Sequence, residues 1–133
     1  MKRLFSGFAC FSLVLVLMAC GNSPAMLDRV LVKNATDSRI TEIKVYHEPT
    51  KRYGAVNAIL PDKSLDIAFS GQPMLARKAT VSWRDGDDLE WSLTVELPYD
   101  QTLGRKGPPM SLIYIIYPSG RVDVHLRESI KIK

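Results

Sequence analysis

Cysteine is nearly absent from this chain: of its 133 residues only Cys10 and Cys20 carry a thiol. A domain built from the residues after Cys20 therefore has no internal disulfide, no thiol nucleophile and no Cys-ligated metal. Histidine is as scarce, with His47 and His125 as the imidazole bases. A Ser-His-Asp site needs a nucleophile beside a base that a third group orients. No Gly-x-Ser-x-Gly turn presents a serine in that way. No glycine-rich phosphate loop or dinucleotide fingerprint occurs. Long apolar runs are missing too. Leu4 to Ala19 is shorter than the ~20 residues a transmembrane helix needs. Helical apolar spacing is not sustained anywhere. The expectation is a non-enzyme with no catalytic residues, no cofactor and no metal.

What is present begins with the N-terminus. Lys2 and Arg3 precede a mostly apolar stretch, densest at Leu13 to Met18, and Ala19 and Cys20 close it. That is the shape of a signal peptide. Leu17-Met18-Ala19-Cys20 resembles the lipobox of bacterial lipoproteins: Leu, a variable residue, a small residue, then Cys. The resemblance covers only the first 20 residues or so. It implies cleavage before Cys20 and lipidation of its sulfur with several acyl chains. Two or more chains hold a protein stably at a membrane, whereas one gives marginal binding. Gly21 stands where an Asp would imply inner-membrane retention in enteric bacteria. The implied address is thus the periplasmic face of the outer membrane, with the inner membrane as the alternative. The expected organisation is a signal peptide at 1–19, a lipidated tether at 20–27, and one β-sandwich domain at 28–133. Gly21 to Ala25, with Asn, Ser and Pro, reads as flexible.

Charge adds one exclusion. Without Lys2 and Arg3 the 18 basic residues fall to 16 against 14 acidic ones, a net charge of +2. So balanced a chain carries no nucleic-acid footprint.

The mature chain is patterned with period two. Strands are expected at Arg29–Lys33, Ile40–Tyr46, Ala55–Leu60, Leu65–Phe69, Ala79–Trp83, Leu89–Leu97, Leu112–Tyr117 and Val122–Leu126. Ile40 is out of phase with Ile43, which predicts a bulge. Trp83 and Trp91 share a face only if the loop between their strands is odd. Arg84-Asp85-Gly86, with Gly86 in the left-handed position, would serve. Pro118-Ser119-Gly120-Arg121 suggests a tight turn pairing Tyr117 with Val122. Ile113 and Ile115 would then face Leu126 and Val124, and Tyr114 would face His125. The strand at Leu112–Tyr117 is apolar on both sides, as a covered central strand or a contact strand would be. Seven or eight short antiparallel strands argue a β-sandwich or a small barrel, and the favoured expectation is an all-β two-sheet sandwich, immunoglobulin-like or C2-like in architecture.

Candidate sites are few. Asp85, Asp87 and Asp88 fit a solvated turn better than a calcium site, because no Glu follows at EF-hand spacing. Glu90 and Glu96 alternate outward, unlike a glycosidase pair in a cleft. The shared face of Trp83 and Trp91 favours core packing over sugar stacking. Asn34-Ala35-Thr36 matches a glycosylation sequon by letters. Two loops carry interface residue types. One runs from Tyr46 to Tyr53 and holds His47 and Arg52. The other runs from Pro98 to Met110 and holds Tyr99, Arg105 and Lys106. The expected partners are the membrane and another protein. The leading expectation is a non-catalytic, protein-binding periplasmic lipoprotein of the inhibitor or immunity kind, acting on an envelope-directed toxin effector. A structural lipoprotein of a secretion machine (pilotin or baseplate type) and a small-ligand carrier are the alternatives.

Overall fold

A computed structural model describes residues 26–48, 52–69, 75–100 and 109–128. Among them are eight strands: β1 (Leu27–Asn34), β2 (Ile40–Glu48), β3 (Arg52–Ile59), β4 (Ser64–Asp66), β5 (Lys78–Arg84), β6 (Glu90–Glu96), β7 (Met110–Ile116) and β8 (Val122–Glu128). They form two four-stranded sheets, ordered β4-β1-β7-β8 and β3-β2-β5-β6. The domain is an all-β two-sheet sandwich, as the period-two patterning predicts. No described helix is long and apolar enough to cross a membrane. One ladder departs from the antiparallel expectation. β7 runs parallel to β1, with Val30 beside Leu112 and Val32 beside Tyr114. This pairing joins strands at opposite ends of the domain's sequence, and a parallel pair needs a crossover rather than a hairpin.

The core fills the space between the sheets. Val30, Val32, Leu112, Tyr114 and Ile116 from one sheet meet Ile43, Val45, Ile59, Val81 and Trp83 from the other, all buried. Leu112, Tyr114 and Ile116 are thus core, which resolves the doubly apolar strand. The other face of β7 is held by Ile113 and Ile115, half-buried on the outside.

Phase along the strands is kept by three local devices. The bulge at Ile40 is present: Glu42 takes a left-handed φ of 50°, and the β2–β5 register shifts between Thr41 and Lys44. Ile40 and Ile43 both turn inward as a result. Trp83 pairs with Trp91 as parity requires, but the loop differs from the expectation. Arg84 pairs with Glu90, so the connection is Asp85 to Leu89. Asp88, not Gly86, occupies the left-handed position, at φ 62°. The Asp85 carboxylate holds this longer loop by accepting from the backbone N–H of Asp87 and Leu89 and from Trp91 Nε1. In the last hairpin the register is one residue away from the expectation. Ile116 pairs with Val122, Tyr114 with Val124, and Ile113 with His125. The cause is Gly120 at φ 78°, which makes a three-residue turn closed by Tyr117 N–H to the Arg121 carbonyl at 2.9 Å. A Cβ at Gly120 would also strike the Trp91 ring.

Where the chain passes from the first sheet to the second, Asn34 is fully buried. Its Nδ2 donates to the carbonyls of Ser38 and Ile59 at 2.8 and 3.0 Å. Its Oδ1 accepts from Thr36 N–H and Oγ1 at 2.9 and 2.6 Å. The side-chain amide is consumed inside the fold, so the sequon letters at Asn34 mark a structural residue in the folded domain. Asn34→Ala removes these four hydrogen bonds and strands buried carbonyls, at an expected cost of about 2–4 kcal/mol. Thr36→Val should cost about 1 kcal/mol. Urea unfolding followed by the fluorescence of Trp83 and Trp91 measures both.

Candidate functional site

The residues singled out in the sequence fall into three environments. His47 does not belong to a partner-facing loop. It lies on β2, continues the inward parity of Ile43 and Val45, and is 0% exposed. Its Nε2 is 2.8 Å from the Tyr114 hydroxyl across the sandwich, and its ring lies 5.0 Å from that of Phe69. Desolvation pushes its pKa down to about 4. The same burial pushes the Tyr114 phenol up. His47 is therefore a neutral ring that pins the two sheets together. Nor does His125 oppose Tyr114. It is exposed, opposite Ile113.

Tyr46 and Tyr53 are brought together. They are cross-strand partners on the outer face of the second sheet, and Tyr53 is 58% exposed. The row continues through Thr80 and Thr94. Beside it lies a second row, Ala55, Lys44, Ser82 and Ser92. Charged rows frame these two. Glu48, Lys78 and Glu96 line one end. Glu42, Arg84 and Glu90 line the other, where Arg84 Nε meets Glu42 at 2.8 Å. The centre of the face is thus Tyr, Thr, Ser and Ala with one lysine. The pattern, with charge at the rim and aromatic and hydroxyl groups inside, suits a protein contact. Sequence reading finds the two tyrosines. It misses Thr80, Thr94, Ser82 and Ser92 because only the register shows that they share a row.

Tyr99 is not part of this face. It follows β6, at the opposite edge of the sheet from the strand of Tyr53. The Arg77 guanidinium covers its ring at 4.4 Å and also reaches Asp100 at 3.3 Å. The backbone of Arg52 pairs with His47. Cys20, Arg105 and Lys106 lie outside the described residues.

The loops at the Asn34 end close a cleft of about 130 Å³ lined by Asp37, Asp85, Asp87, Trp91 and Tyr117, among others. Trp91 stacks on Trp83 with centroids 6.0 Å apart and planes 7° from parallel, and Gly120 packs on its ring. The indole is thereby engaged in packing rather than offered to a sugar. Asp85 has its pKa lowered by the Trp91 N–H and then by the Leu89 and Asp87 amides, which makes it a turn anchor. No group of three metal-ligating side chains forms among the described residues.

No protein-family model matches the chain. No curated protein matches it either. Among solved structures, an NMR structure of a protein from Eubacterium rectale is similar, at 15% identity and a TM-score of 0.47, over 79% of this chain and 91% of that one.

The His47 environment yields a pH prediction. The unfolded chain takes up a proton near pH 6.5, and the folded chain does so only near pH 4. Acidification through that window therefore favours the unfolded state, by about 3 kcal/mol in total. Stability should fall from pH 7 to pH 4, and His47→Gln should flatten that slope. Urea midpoints across the range provide the measurement.

Proposed function

We propose that this chain is a non-catalytic, lipid-anchored protein of the bacterial envelope that binds another protein through the outer face of its second sheet. The observation that carries this reading is the charge-framed surface of Tyr46, Tyr53, Thr80, Thr94, Ser82 and Ser92. Tyrosine gives large contact area at low entropic cost, and serine and threonine give adaptable hydrogen bonds. The anchor rests on Leu17-Met18-Ala19-Cys20. An attached lipid raises local concentration at the membrane without any catalytic machinery. The size, the address implied by the lipobox and the absent enzyme motifs favour an inhibitor or immunity role against an envelope-acting effector.

Two measurements test the reading. In cells, Cys20→Ser should shift the chain from the membrane fraction to the soluble fraction and block its maturation. Affinity capture from envelope extract with the full chain should retain a protein partner at moderate salt. Tyr46→Ala with Tyr53→Ala should lose that partner while circular dichroism stays unchanged. Capture of nothing at low or moderate salt would overturn the protein-binding reading. Unchanged fractionation of Cys20→Ser would overturn the anchor.

A further inference from the structure

A sandwich of two open sheets has four edge strands, and each must be kept from pairing with other chains. Three of them here are blunted. β4 is three residues long. β3 is capped in part by an antiparallel bridge between Gly54 and Phe69. β6 repels a second copy of itself. Its backbone groups turned to the open side belong to Glu90, Ser92, Thr94 and Glu96, as the bond from Asp85 N–H to the Leu89 carbonyl and the register together fix. A symmetric pairing over its full length sets Glu90 against Glu96 twice.

β8 differs. The bond from Tyr117 N–H to the Arg121 carbonyl marks that pair as hydrogen-bonded. The alternation then turns the backbone groups of Asp123, His125 and Arg127 toward β7. Those of Val122, Val124, Leu126 and Glu128 turn to the open side. No described strand lies beyond them. We propose that β8 pairs with β8 of a second copy of this chain, antiparallel and centred on His125, joining two four-stranded sheets into one of eight strands.

Complementarity selects this register. Centring on His125 sets Asp123 opposite Arg127 of the second copy, twice, on the outer face. On the inner face Val124 meets Leu126, twice, and extends the half-buried apolar row of Val122, Val124 and Leu126. The alternatives fail on charge. Centring on Asp123 opposes two aspartates, and centring on Arg127 opposes two arginines. Centring on Val124 sets Arg121 against Arg127. Centring on Leu126 sets His125 against Arg127 and gives Asp123, which Arg121 of its own chain already meets at 3.6 Å, no cation across the axis. The backbone phase agrees as well, since Val124 and Leu126 present outward N–H and C=O groups to each other. His125 then meets its symmetry mate in a non-hydrogen-bonded pair, where Cα atoms approach to ~4.5 Å.

That approach suits a disulfide, which spans Cα separations of about 4.4–6.8 Å. The full chain carrying His125→Cys, expressed in cells and mildly oxidised in envelopes, should be trapped mostly as a covalent dimer. On a denaturing gel the unsubstituted chain and Ser64→Cys, an exposed site on the short β4 edge, should show no covalent dimer. Adding Arg127→Asp to His125→Cys places acids on both sides of the axis and should abolish the dimer. Adding Asp123→Arg as well should restore it. The pairing is overturned if the His125→Cys thiol reacts with maleimide yet forms no dimer. It is equally overturned if Ser64→Cys cross-links as much, or if Arg127→Asp leaves the dimer intact. These outcomes are independent of whether a different protein binds the Tyr46–Tyr53 face.

Discussion

Two stacked sheets share no backbone ladder, so their relative placement depends on the few polar contacts that cross between them. Asn34 is the principal one. It sits at the last residue of β1, and its amide reaches the end of β3 in the other sheet. Its backbone N–H and C=O are also taken, by Lys63 and Asp62. A buried amide with this many partners is stable only in one arrangement of the surrounding chain, because each bond lost would strand a group away from water. His47 and Tyr114 add a second crossing contact within the apolar layer. Shape-filling residues such as Val45 and Val81 tolerate small slides of one sheet on the other. These two polar contacts do not.

Within each sheet the governing constraint is parity. A slip of one residue turns every apolar side chain of a strand to water. Glu42, Asp88 and Gly120 each adopt a left-handed conformation that keeps the correct set inward. The two acidic positions are more strained than glycine, and local bonds offset that strain. The Arg84 guanidinium donates to the Glu42 carboxylate and to the Asp88 carbonyl. One arginine thus steadies both irregular points of the second sheet.

These devices explain how far the sequence can be read. The eight strands and the sandwich follow from alternation, and the Trp83–Trp91 pairing follows from parity alone. The loop lengths do not, because Asp85 sustains a connection that composition assigns to Gly86. The β7–β8 register is displaced for a related reason: left-handed Gly120 closes in three residues a turn that the sequence reads as four. β1–β7 pairing joins strands from opposite ends of the domain, and no local pattern records it. His47 is legible in principle, since it continues the alternation of Ile43 and Val45. Its place beside a polar loop hides that. The Tyr46 face is half legible, because tyrosines stand out in a strand while the hydroxyl rows are spread over two others. Function is harder still, for no local motif marks that face.

The two proposed contacts are compatible in one geometry. A two-fold axis that joins β8 edges stands perpendicular to the sheet. It carries the Met26 end of one copy to the opposite end of the other, at the same height along the axis. Under the proposed anchoring at Cys20, both tethers reach one bilayer only if the joined sheet lies along it. The outer face of the first sheet carries Leu31, Ile113 and Ile115, with Lys33, Arg127, Asp66 and Asp123 beside them. Charges of both signs ring that apolar centre, Arg29 with Asp66 and Lys33 with Asp62 among them. With the first sheet toward that bilayer, the second sheet is turned away from it, and Tyr46 and Tyr53 face the space from which the proposed partner would come. A weak edge contact suffices there, because confinement to a surface supplies the effective concentration that the small pairing area cannot.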